Sequence, residues 1–162
     1  MLLALAAPAA AATERALGER FVRLDRGRAR PAPLPPGTRV VALYYGAGWC
    51  GPCRAFVPEL IAAYPGLRAR RVEVVFVSDD VTCRAALDYA RAGRMPWLML
   101  PCDEPRRAAL RKLGGASLPG LVTLDRDGRV LATSWDARGA SSPRRSLRLL
   151  LDGAPQASAS NP

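Results

Sequence analysis

The order of segments in this sequence predicts an α/β domain with a central mixed sheet flanked by helices, on three observations. Residues 40–45 (VVALYY) and 72–77 (VEVVFV) are near-continuous apolar runs, the pattern of strands buried on both faces. Each is followed by a stretch with helical periodicity. Near the end, Asp125-Arg126-Asp127-Gly128 separates two further apolar segments and reads as a hairpin turn.

The elements follow in order. Phe21-Val22-Arg23-Leu24-Asp25 alternates apolar and polar, as a short outer strand does. Residues 31–37 (PAPLPPG) cannot be helical and form a loop leading into the core. The first buried run is broken by Gly46, Gly48 and Cys50-Gly51-Pro52-Cys53, and a helix is expected from there to about Ala63. Phe56, Leu60 and Ala63 share its apolar face, and Pro58 predicts a kink. The second run ends at Ser78-Asp79-Asp80. A helix over 82–92 then places Cys83, Ala86, Leu87 and Ala90 on its apolar stripe, and Gly93 stops it. Residues 97–100 (WLML) are strand-like. Asp103 is a candidate N-cap for a helix reaching Leu113, with Gly114 just past its end. Segments 121–124 and 129–133 flank the hairpin turn, and Ser142-Pro143 opens a last helix to about Leu151. The domain so defined spans 38–152, after an N-terminal extension and linker (13–37) and before a small, polar tail (153–162) expected to be disordered.

Composition narrows the chemistry. The chain has 162 residues, 49% of them apolar, enough for a packed core. No histidine occurs, which removes imidazole bases, histidine metal sites and Cys-His hydrolases. The net charge is +10 and nearly all of it is arginine, Lys112 being the only lysine. These arginines form no dense block and interleave with no aromatics, so a solvated surface is expected rather than nucleic-acid binding. No apolar run is long enough for a conventional transmembrane helix. Residues 1–12 (MLLALAAPAAAA) resemble the apolar region and small-residue cleavage site of a secretory signal, without its basic start. The expectation is cleavage near Ala12 and export, to a bacterial periplasm, with no stable membrane insertion afterwards; the alternative is an ordinary Ala-rich tail on a cytoplasmic protein.

The chemistry concentrates at Trp49-Cys50-Gly51-Pro52-Cys53. Two cysteines at i and i+3 where a helix begins suit dithiol exchange. The first meets the free N–H groups and positive end of the helix, which stabilise its thiolate. The second lies one turn on, within reach to close a disulfide or attack a mixed one. Pro52 has the φ that a helix start needs, Gly51 keeps the approach to sulfur open, and Trp49 offers an apolar flank to an incoming peptide. A CxxC alone also occurs in zinc ribbons and haem attachment sites. Arg54 stands where haem attachment wants histidine. Zinc held by Cys50, Cys53, Cys83 and Cys102 would require Cys83 to leave a core stripe. Placement between a buried strand and a helix favours redox work, with no metal and no organic cofactor, because the electrons reside in the Cys50–Cys53 pair. Cys83 and Cys102 are either a second disulfide or two unpaired core thiols.

WCGPC, with Pro58 five residues past the second cysteine, resembles the thioredoxin superfamily. Tyr44-Tyr45, residues 73–80 (EVVFVSDD), 95–98 (MPWL) and 118–128 (LPGLVTLDRDG) are similar to its nucleoredoxin/tryparedoxin-like branch, in that branch's order and over about residues 40–130. The resemblance implies a thioredoxin-like fold and a monomeric enzyme exchanging disulfides with protein thiols and with an unknown redox recycling partner. Cys50 is then the nucleophile and Cys53 the resolving thiol. It implies a cis Leu118–Pro119 bond lying against the dithiol. Tyr44, where thioredoxins carry a buried aspartate, and Asp80 either form a hydrogen-bonded relay behind the thiols or are a core tyrosine and a loop aspartate. Gly120 stands where threonine is usual after the cis-proline. Two rival classes are a non-catalytic binding or metal-binding module on the same fold and a peroxide-reducing enzyme. Retention of both dithiol cysteines argues against the first, and the lack of a suitable setting for Cys83 argues against the second.

Overall fold

A computed structural model describes residues 20–153. The export-like segment 1–12 and the tail from 154 lie outside the described residues. The strands are β1 (Val22–Asp25), β2 (Arg28–Pro31), β3 (Val40–Gly46), β4 (Val72–Ser78), β5 (Leu98–Met99), β6 (Gly120–Leu124) and β7 (Val130–Thr133). The helices are α1 (Gly51–Ala69), α2 (Cys83–Ala92), α3 (Arg107–Arg111) and α4 (Pro143–Asp152). One mixed seven-stranded sheet has the order β2-β1-β5-β4-β3-β6-β7.

The two apolar runs are its centre. β3 and β4 lie parallel, in register from Val40 opposite Val72 to Gly46 opposite Ser78. Alternate residues face opposite ways. Ala42, Tyr44, Val74, Phe76 and Leu121 pack into a core with α1, α2 and α4. Val41, Leu43, Tyr45, Val75, Val77, Val122 and Leu124 pack into a second core that includes Leu110 of α3. Both faces are covered, so neither strand shows polar alternation.

Four expectations change. Residues 22–31, set outside the domain as extension and linker, form the β1–β2 hairpin, and β1 pairs antiparallel with β5. Phe21 is buried beside it, so the folded unit begins there and not at 38. Helix α1 continues past Ala63 and through Pro65 to Ala69, because Leu67 is buried in the core and Gly66 lets Leu151 of α4 approach. The buried stripe of α2 is Ala86, Tyr89 and Ala90; Cys83 is exposed at its start. Asp103 caps no helix: it pairs with Arg20 at 3.1 Å, and α3 is only five residues long. Pro105 disfavours helical backbone at Glu104, which accounts for the late start.

Glu73 is fully buried at the start of β4. Its carboxylate accepts from Tyr64 Oη of α1 at 2.7 Å and pairs with Arg68 of α1 at 2.9 Å and Arg23 of β1 at 3.4 Å. One side chain thus ties the hairpin, the central sheet and the helix that carries the dithiol. Glu73→Ala is expected to lower the unfolding free energy by about 2–3 kcal/mol, since the tyrosine loses its acceptor while both arginines can rehydrate. Urea unfolding of the two proteins would measure it, and a loss under about 0.5 kcal/mol would contradict the anchoring role.

Candidate active site

The end of β3 delivers the chain to Cys50, the N-cap of α1, through Ala47, Gly48 and Trp49. Cys50 has extended backbone (φ −85°, ψ 106°) and its Sγ accepts from the Cys53 N–H at 3.2 Å. The helix start therefore aims a free N–H at the sulfur that benefits from it. Cys50 and Cys53 form a disulfide with Cα atoms 5.2 Å apart. Cys50 keeps 6% of its surface exposed and Cys53 none. Trp49 stands out at 66% exposed, Gly51 and Pro52 are also exposed, and a Cβ at Gly51 would meet nothing nearer than 3.9 Å.

Facing the dithiol is a groove of about 570 Å³ with Trp49, Cys50 and Pro52 on one side and Asp79, Arg111 and Leu118 on the other. A second groove of about 540 Å³ continues past Pro52 and Leu118 toward Pro119, Ser141 and Arg144. The two share Pro52 and Leu118, and Cys50 lines the first. The Leu118–Pro119 peptide is cis. Its loop is pinned by three bonds: Trp135 Nε1 donates to Ser117 O at 2.7 Å, Ser117 Oγ to Gly139 O at 2.6 Å, and Ser141 Oγ to Pro119 O at 2.7 Å.

Behind the dithiol, Tyr44 and Asp80 share no hydrogen bond and belong to two separate arrangements, a core tyrosine and a loop aspartate, the second of the two readings the sequence left open. The Tyr44 hydroxyl shares a 2.8 Å hydrogen bond with Tyr89 Oη, and burial pushes its phenol well above the ordinary tyrosine range. It stays neutral and packs beneath Gly46, where an added Cβ would strike it. Asp80 instead holds the loop: Oδ1 accepts from Gly48 N and Oδ2 from Ser78 Oγ, both at 2.9 Å. Trp97 is fully buried and belongs to the core.

Several groups at the site were not singled out from sequence. Arg54 Nη1 donates to Gly48 O at 2.6 Å and braces the Trp49 turn. Arg111 grips Asp79 with Nε and Nη2 at 2.9 and 2.7 Å, and Arg107 donates to Ser78 O at 2.8 Å. Both come from α3, far along the chain, and no local pattern announces them. Ser78 could have been found from its place two residues before Asp80. The four cysteines are partitioned into two disulfides rather than gathered as a zinc tetrad: Cys83 pairs with Cys102, Cα atoms 5.7 Å apart. That settles the choice left open by the sequence, against two buried thiols.

The chain is similar in sequence and fold to known proteins. The profile of the family described as thioredoxin-like matches residues 37–130. Tryparedoxin of Trypanosoma brucei brucei is 37% identical over 111 residues, covering 65% of this chain and 74% of that protein. Probable nucleoredoxin 1 of Arabidopsis thaliana is 36% identical over 98 residues, 57% of this chain but only 16% of the relative's length. The solved structure of tryparedoxin from Trypanosoma brucei superposes with a TM-score of 0.62 at 30% identity, covering 88% of this chain and 92% of that one.

Proposed function

The chain belongs to the thioredoxin-like family, in its nucleoredoxin/tryparedoxin-like branch of thiol–disulfide oxidoreductases, and from that premise we propose that it exchanges disulfides with protein clients through Cys50 and Cys53. The observation that carries the reading is Cys50 at the N-cap of α1, its sulfur facing a groove while accepting from the Cys53 N–H. In the reduced enzyme the Cys50 thiolate attacks one sulfur of a client disulfide, forming a mixed disulfide and releasing the other client sulfur as thiolate. The Cys53 thiolate then attacks the Cys50 sulfur, the second client thiolate leaves, and the enzyme retains the Cys50–Cys53 disulfide. Two electrons have passed to the client, and the reverse sequence oxidises one. A dithiol or disulfide partner resets the pair, and no organic cofactor takes part.

Trp49, Gly51 and Pro52 flank the attacking sulfur. Leu118 and cis-Pro119 form the opposite lip, and among the described residues the Leu118 backbone has no hydrogen-bond partner, which leaves it available to an extended peptide. Asp80 positions the Trp49 turn through Gly48, and Tyr44 fills the space behind the helix start. The protein acts as a monomer, outside the cytoplasm if residues 1–12 direct export. The test is reduction of insulin disulfides by catalytic amounts of the chain with dithiothreitol as electron source. Acceleration that is abolished by alkylating the reduced chain is expected. A chain whose disulfide titrates normally but gives no acceleration would instead be a binding module.

A further inference from the structure

The arginines look scattered along the sequence, but the fold gathers a set of them at the end of the sheet opposite the dithiol. β3 and β4 carry the site at their C-terminal ends. At their N-terminal ends Arg39 N donates to Arg71 O at 2.8 Å, and Arg70 is the C-cap of α1 beside them. β1 is antiparallel to β5, and β5 is parallel to β4, so the β1–β2 turn reaches the same end with Arg26 and Arg28. Arg91 of α2 fixes that turn by donating to Gly27 O at 2.7 Å. Arg26, Arg28, Arg39, Arg70 and Arg71 are all exposed, and among the described residues none has an ion pair or a side-chain hydrogen bond. The carboxylates nearby are committed: Glu73 to Arg23 and Arg68, and Asp88 to Arg84 and Arg91. Because β6 runs antiparallel to β3, with Leu124 opposite Val41, the β6–β7 turn also reaches this end, and it adds Arg126 and Arg129 to the cations and Asp125 and Asp127 to Asp25 and Asp152, which leaves seven guanidinium groups against four carboxylates.

We propose that this end of the molecule docks on the anionic headgroups of a lipid surface, with the dithiol facing away toward clients. Charge complementarity supplies the attraction. Among the described residues the exposed large apolar side chains are Trp49, Val81, Leu113, Val130 and Leu149; strand register places Val130, opposite Leu124, at this end, and a single valine is too little to insert, so the contact is electrostatic and reversible. The absence of an exposed aromatic there also separates it from a single-strand nucleic-acid platform. The five side chains come from strand ends and turns, not from a helix or ribbon shaped to a duplex groove. A protein exported by residues 1–12 would meet anionic lipid as its principal polyanionic surface.

The experiment is co-sedimentation of the full chain with phosphatidylcholine vesicles containing about one third phosphatidylglycerol, beside vesicles of phosphatidylcholine alone. Arg39→Gln, Arg70→Gln and Arg71→Asn are combined in one variant, asparagine being chosen because φ at Arg71 is 60°. A second variant combines Lys112→Gln, Arg138→Gln and Arg145→Gln, three exposed cations elsewhere on the surface. Both lose the same charge and keep the same N-terminal segment. The first variant should bind anionic vesicles about 100-fold more weakly, about fivefold per arginine, while the second changes by less than about threefold. If the first variant does not fold, judged by insulin reduction, Arg26→Gln with Arg28→Gln replaces it, with about 25-fold expected. Equal losses in the two variants, no preference for anionic vesicles at physiological salt, or tighter binding to a DNA duplex through the same arginines would each overturn the assignment.

Discussion

Cys50→Ser is expected to eliminate disulfide exchange, lowering turnover on insulin by at least about 10³-fold, the scale of loss when a covalent nucleophile is deleted. Cys53→Ser should also stop multiple turnover, but for a different reason. Its Cys50 still attacks, and the mixed disulfide accumulates because nothing resolves it. The asymmetry rests on geometry. Cys50 has 6% of its surface exposed at the groove, whereas Cys53 has none and lies against Phe56 and its neighbours in the core. Non-reducing electrophoresis and mass spectrometry of adducts would separate the two variants. Adducts through Cys53 in the Cys50→Ser protein, and none through Cys50 in the other, would reverse the roles.

Removing the second disulfide should have the other large effect, on stability. Cys83 and Cys102 are 19 residues apart in sequence, and closing a loop of that length restricts the unfolded chain by about 3 kcal/mol in the chain-entropy account. Cys83→Ala with Cys102→Ala is therefore expected to lower the unfolding free energy by about 3 kcal/mol and the melting temperature by roughly 10 °C. Denaturant and thermal unfolding, with Cys50–Cys53 kept oxidised, would measure it. A change under about 0.5 kcal/mol would show that the crosslink constrains little. The same bond anchors the turn just before α3, which supplies Arg107 and Arg111 to the groove, so groove-dependent steps should weaken alongside.

The central sheet was legible because β3 and β4 are covered on both faces, which writes burial into nearly every residue of residues 40–45 and 72–77. The dithiol was legible because its chemistry needs a fixed spacing at a helix start. β2 was not, because Arg-Ala-Arg-Pro is exposed throughout and joins the sheet only through backbone pairing with β1. Cys83 misled for a related reason. Its spacing places it on the α2 stripe, yet as the first residue of the helix it reaches sideways to Cys102 instead of inward. The Tyr44–Tyr89 bond joins residues 45 apart, and the Asp79–Arg111 pair joins residues 32 apart. Contacts of that kind depend on tertiary approach, and no local periodicity encodes them.

The glycine at 120 has an explanation in the Trp135 ring, which occupies the volume a Cβ there would need and donates its N–H to Ser117 O. A side chain at 120 and a large aromatic at 135 exclude each other, so the two positions form a single heritable choice. A lineage carrying threonine at 120 must first give it up before a tryptophan can be accepted at 135, and one that has acquired the tryptophan is held to glycine until it gives the ring up. The order in which those two replacements occur is thus constrained. Mutational histories of this loop should then pass through a small residue at both positions before either is enlarged.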